Sequence, residues 1–108
     1  MAQEEGLFEV GGNVYTLKLN YKKVKAIESL TGGSFVAEIA KSQGMLSFTM
    51  LEAVFAVGLH DTNTETAVKG KKAMDVLEKL LEDVGYTDVI QVTTAKIEED
   101  LGFLFQGN

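Results

Sequence analysis

The sequence predicts an α+β fold that is mostly helical, with one N-terminal β-hairpin packed on four to five helices. Three observations predict it. Two short β-prone runs flank a Gly-Gly-Asn triplet near the start. The apolar runs after them are spaced mainly for helix faces, at three and four residues. Asn, Ser or Gly stands where most of those runs begin and end. The chain has 108 residues, the usual size of a single domain. The hairpin is placed at about 7–19 and the helical part at about 21–105. Hydrophobic residues make up 45% and charged residues 24%, ordinary globular values. A domain of this size buries roughly two-thirds of the surface its unfolded chain exposes. The core is therefore modest, and a partner could complete some of its apolar surface.

The first run is Leu7-Phe8-Glu9-Val10 and the second is Val14 to Leu19. The second alternates, with Val14, Thr16 and Lys18 on one face and Tyr15, Leu17 and Leu19 on the other. Gly11-Gly12-Asn13 between them tolerates the positive φ of a tight turn. An isolated hairpin is marginal in water, so its apolar face must lie on the helices C-terminal to it.

Asn20 is placed as the N-cap of a helix from Tyr21 to Leu30, with Tyr21, Val24, Ile27 and Leu30 inward. Thr31-Gly32-Gly33 stops it. Ser34 caps a short helix from Phe35 to about Ser42, with Phe35, Val36 and Ile39 inward, and Gln43-Gly44 breaks the chain again. Ser47 opens a helix from Phe48 to Leu59 that is apolar almost all round, which marks it as buried or as awaiting a partner. Gly58 near its end fits close approach of a neighbouring element or fraying. His60 to Asn63 is read as a loop. Thr62 and Glu65 match a capping box, so the next helix is predicted to start near Asn63. It runs to about Val84 with Met74, Leu77, Leu81 and Val84 on one face. Gly70 kinks it or delays its start, and Gly85 ends it. Thr87 or Asp88 caps the last helix, which carries Ile90, Ile97, Leu101 and Leu104. The β-branched stretch from Val89 to Thr94 could instead be extended; helix is preferred.

Composition removes several functions. The net charge is −6 and there is no cysteine. Lysines at 22, 23 and 25 and at 69, 71 and 72 are flanked by acids within a few residues, as on solvated helix faces. Neither nucleic acid nor an anionic membrane is an expected partner. The absence of cysteine excludes disulfides, thiolate metal sites and cysteine nucleophiles, and it suits a reducing compartment. Met1 to Glu5 is acidic and is not followed by an apolar run of signal-peptide length. The run from Met50 to Leu59 is too short to cross a bilayer. A soluble cytoplasmic protein is expected.

Convergent reactive groups are equally scarce. His60 is the single histidine, and its neighbour Asp61 would point away from it on a turn. A helix-end residue, favoured there by the dipole, is the simpler reading. Glu82-Asp83 and Glu98-Glu99-Asp100 lack the alternating loop of a calcium site. Gly11-Gly12, Gly32-Gly33 and Gly70 lack the spacing of a phosphate loop. Neither Ser34 nor Ser47 has the Asp-Ser-Leu setting of an acyl-carrier serine. No catalytic, cofactor-binding or metal residue is assigned, and no cofactor is expected. The predicted role is a non-enzymatic one, through contacts with other proteins.

The order of motifs resembles a family. The hairpin with Gly11-Gly12-Asn13-Val14-Tyr15-Thr16-Leu17 leads into a helix ending Glu28-Ser29-Leu30-Thr31-Gly32-Gly33-Ser34. A short helix comes next, and then the segment from Leu51 to Gly58-Leu59-His60. In that order, over about Phe8 to Gly85, the chain looks like the tail assembly chaperones of long-tailed bacteriophages, prophages and gene transfer agents. After Gly85 it matches only in being helical and acidic. The resemblance implies a bacteriophage protein of viral morphogenesis that coats the tape measure protein until tail tube protein polymerises around it. It also implies a place in the bacterial host cytoplasm, absence from the mature virion, and in many members a longer frameshifted form.

Phe103, Leu104 and Phe105 are the candidate protein contacts, since they put apolar bulk beside the chain end. A homo-oligomer is expected. The alternative is a small cytosolic helical adaptor or regulatory module acting by protein–protein contacts. A further rival is an enzyme subunit completing a site around His60 with a partner chain.

Overall fold

The computed structural model describes residues 6–105. Its elements are β1 (Phe8–Val10), β2 (Asn13–Leu17), α1 (Tyr21–Thr31), α2 (Phe35–Ser42), α3 (Phe48–Gly58), β3 (Leu59–Asp61), β4 (Thr66–Ala67) and α4 (Gly70–Leu101), with a closing 3₁₀ turn at Gly102–Phe105. The fold is α+β: one antiparallel sheet in the order β1-β2-β3-β4, with α3 and α4 against it and α1 on α3. Among the described residues no helix is long and apolar enough to cross a membrane.

The N-terminal hairpin forms in the register Phe8↔Tyr15 and Val10↔Asn13. Gly11 and Gly12 take φ of 58° and 82°. That pair of left-handed residues makes the turn whose twist matches right-twisted strands. β2 departs from simple alternation, because Tyr15, Thr16 and Leu17 are all buried. Thr16 is accommodated by donating its hydroxyl to the Gly6 carbonyl. Phe8 meets the Phe55 ring of α3 at 5.2 Å between centroids, tying sheet to helix. Fully buried side chains such as Phe8, Phe35 and Phe55 each stabilise the fold by about 1.5–3 kcal/mol.

The caps fall where Asn, Ser and Gly predicted them. Asn20 accepts from the Lys23 amide at 2.9 Å, Ser34 from Ala37 at 3.1 Å and Ser47 from Met50 at 3.1 Å. Gly32, at φ 75°, closes α1 by donating its amide to the Glu28 carbonyl. Gln43 is left-handed at the end of α2.

Three expectations are corrected. The sheet has a second hairpin: β3 pairs with β2 (Thr16↔His60, Leu17↔Leu59) and β4 pairs with β3. Thr62 therefore caps no helix. Its hydroxyl donates to the Val14 carbonyl at 2.8 Å, and Glu65 lies in the β3–β4 turn at φ 58°. The next helix begins only at Gly70. The two helices expected on either side of Gly85 are present, but they meet at a kink with no side-chain cap between them. Within α4 the backbone leaves helical geometry at Gly85 alone (φ 87°, ψ 166°), and neither Thr87 nor Asp88 makes a capping hydrogen bond. The segment from Val89 to Thr94 is helical, and the buried Thr93 hydroxyl donates to the Val89 carbonyl one turn back, which satisfies it internally.

The inward faces also shift. Val24 and Ile27 of α1 are buried, whereas Tyr21 and Leu30 are exposed. In residues 70–84 the core stripe is Ala73, Val76, Leu77 and Leu80, while Met74, Leu81 and Val84 are only partly buried. Beyond the kink, Val89, Thr93, Ile97 and Leu101 face the core. This second limb is pinned to the segment between β2 and α1 by Asp100. One carboxylate oxygen accepts the Leu19 amide at 2.9 Å, and the other lies 3.5 Å from the Lys96 ammonium. Lys96 is itself mostly buried beneath Gly6.

Candidate protein-contact surfaces

The final turn separates the three residues expected to act together. Phe103 is 56% exposed and Phe105 38%, but Leu104 packs against the core. The turn continues directly from α4, whose last helical residue, Leu101, is fully buried. That anchor holds the two phenylalanines outside. Phe105 forms one wall of a cleft of about 430 Å³ whose other walls include Ile39, Ala40, Leu46, Thr94 and Ile97. α2 supplies one side and the second limb of α4 the other. The cleft is apolar, with Gln43 and Glu98 as its main polar groups.

A second exposed group lies around the α2–α3 connection. Met45 and Phe48 are both more than half exposed, Phe48 standing on the helix whose apolar character marked it as buried or as awaiting a partner. Its ring instead meets Tyr86 edge-on at 5.4 Å. Tyr86, the first residue past the kink, donates its hydroxyl to the Leu46 carbonyl. Burial, and then the charge of Glu38, raise the Tyr86 phenol above its usual pKa. Leu46, with Gln43 and Gly44 of the same loop, also lines the Phe105 cleft.

A third surface is a groove between α3 and residues 70–84 of α4. Two adjoining hollows of about 210 and 410 Å³ share Glu52 and Met74. Leu30, 62% exposed, stands at one end and Leu81 at the other. The sequence carried a signal for this groove, since residues 73–84 hold more apolar side chains than a single inward stripe needs.

His60 lies in β3 opposite Thr16 and Ala67, and the Asp61 side chain accepts from the Asn63 and Thr64 amides within its own turn. The two side chains do not act as a pair. Among the described residues no group of three or more acidic or histidine side chains is gathered to hold a metal ion. Compared with protein-family models, with curated proteins and with solved structures, the chain has no significant match in any of the three.

Proposed function

We propose that this chain is a tail assembly chaperone of a long-tailed phage or prophage. In this reading it holds apolar helical stretches of the tape measure protein until tail tube subunits assemble around them. It works stoichiometrically, without a cofactor, in the host cytoplasm, and does not enter the mature virion. The observation that carries the reading is the display of large apolar side chains on helix-built surfaces of an acidic chain. Phe103, Phe105, Phe48, Met45 and Leu30 all reach solvent, and the net charge is −6. Exposed apolar patches rimmed by polar residues mark interaction sites, and the like charge limits self-association. The motif order from Phe8 to Gly85 supplies the choice of client.

Co-expression with the tape measure protein encoded beside it tests the reading. The wild-type chain should hold the client in the soluble fraction and copurify with it. A Phe103→Ser, Phe105→Ser variant should fold normally and lose most of that effect, because neither side chain fills the core. Leu104 is left unchanged for the opposite reason. Client solubility that is the same with and without the wild-type chain removes the reading. An effect kept in full by the double variant removes Phe103 and Phe105 as contacts.

A further inference from the structure

Residues 70–84 of α4 carry two apolar stripes where a surface helix needs one. Ala73, Val76 and Leu80 face the core, Met74 and Leu81 stand half out of it, and Leu77 belongs to both sets. The outer stripe faces α3 across the groove, whose floor is closed by Ala53 and Leu77, both nearly fully buried. No lysine or arginine lines it. Its charged groups are Glu52 and Glu78, and neither makes an ion pair or hydrogen bond among the described residues. Two neighbouring acids on the same limb are neutralised locally, Asp75 by Lys71 at 3.1 Å and Asp83 by Lys79 at 3.7 Å. The groove is thus mainly apolar, with Thr31 and Thr49 toward its Leu30 end, and carries two unpaired carboxylates.

The geometry points to this groove as the seat of an amphipathic helix from another protein, with an apolar stripe flanked by lysine or arginine. A third helix suits a furrow between two helices, because its side-chain ridges can settle between theirs. An extended segment would bring backbone amides against apolar walls with no strand edge to pair them. Cationic flanks would meet Glu52 and Glu78, and complementary charge of this kind selects partners and speeds encounter. A second copy of a chain with net charge −6 is disfavoured by the same electrostatics. Naming the helix a segment of the tape measure protein rests on the proposed function. Its apolar stripe and its positive flanks do not.

Two designed peptides of about 18 residues, roughly 27 Å of helix, make the test. They share one leucine stripe at helical spacing and differ only in lysine or glutamate flanks. Each is titrated into the isotope-labelled full chain while amide shifts are followed. The lysine peptide should bind at least about tenfold more tightly at low ionic strength, with the gap shrinking in high salt. The shifted amides should cluster at Leu30, Ala56, Met74 and Leu81. A Glu52→Gln, Glu78→Gln variant, altered only at exposed positions, should keep the native spectrum and bind the lysine peptide about five- to tenfold more weakly. The inference is overturned if neither peptide binds, if the two bind equally, if the shifts fall on the Phe105 cleft, or if the double variant binds like wild type. If the lysine peptide takes the groove but the co-expressed tape measure protein stays insoluble, the groove stands and the tail-assembly reading falls.

Discussion

Gly58 offers the sharpest test of how α3 is seated on the sheet. It is the last residue of α3, and its carbonyl accepts the Lys18 amide at 2.9 Å. A Cβ added there would stand 2.7 Å from Leu19 Cδ2, 3.4 Å from the Lys18 carbonyl oxygen and 3.6 Å from Leu17 Cδ2. Leu17 is fully buried and Leu19 nearly so, so the Leu19 methyl has little room to turn aside. Overpacking of this kind costs about 1–3 kcal/mol. Alanine returns up to about 1 kcal/mol as the better helix former, and less than that at a terminal position. Gly58→Ala should therefore destabilise the fold by about 1 kcal/mol. For a domain of this size that lowers the melting temperature by roughly 4–8 °C. The decisive assay is a double-mutant cycle in urea with Leu19→Ala. Leu19→Ala alone should cost about 2–3 kcal/mol. In that background Gly58→Ala has no methyl to displace and should be neutral or slightly stabilising, giving a coupling of at least about 1 kcal/mol. If Gly58→Ala costs the same in both backgrounds, the contact with Leu19 is not what demands glycine.

The limb beyond the kink gives two further outcomes. Gly85 holds φ 87° and ψ 166°, a combination that essentially only glycine adopts. Gly85→Ala should cost about 1–3 kcal/mol by thermal denaturation, with no new side-chain contact to blame, since nothing lies within 4 Å of the added carbon. Tyr86 predicts the alkaline limb of stability. Its raised pKa means the folded state keeps the phenolic proton more tightly than the unfolded state. That contribution is complete below the unfolded value of about 10 and fades as pH rises through the folded pKa. Tyr86→Phe should lose about 0.5–1.5 kcal/mol at neutral pH with the hydrogen bond to Leu46, and the deficit relative to wild type should narrow above pH 10. Lys23, whose pKa is lowered by burial first and next by the charge of Lys18, titrates nearby with the opposite sign but is common to both proteins. An unchanging deficit would deny Tyr86 this role.

The elements set by local chemistry were legible in the sequence. Asn20, Ser34 and Ser47 cap by side-chain hydrogen bonds to amides three residues ahead, and Gly32 ends α1 by its own backbone geometry. Each needs only its near neighbours. β3 was hidden because its partner β2 is distant, and β4, two residues long, forms only against β3. Leu59 to Asp61 is extended by pairing with Tyr15 to Leu17, and Thr62 serves the β2 carbonyl of Val14 instead of a helix. Periodicity correctly grouped Met74, Leu77 and Leu81, but it could not tell the core face from the groove face. The smaller Ala73 and Val76, with Leu80, are buried on the core face. At the chain end, Phe103, Leu104 and Phe105 read as one apolar unit, and only the turn geometry separates Leu104 from its neighbours.

The short strands bear on how such a protein meets others. Among the described residues the outermost strands are β1, with three residues, and β4, with two. Neither margin is long enough to template an incoming strand along a run of main-chain hydrogen bonds, the route by which sticky proteins lock into fibres. In the proposed function attachment is then left to helical faces, whose grip comes from side chains. A contact of that kind has no main-chain ladder to break, which suits the proposed role, in which the client is eventually released.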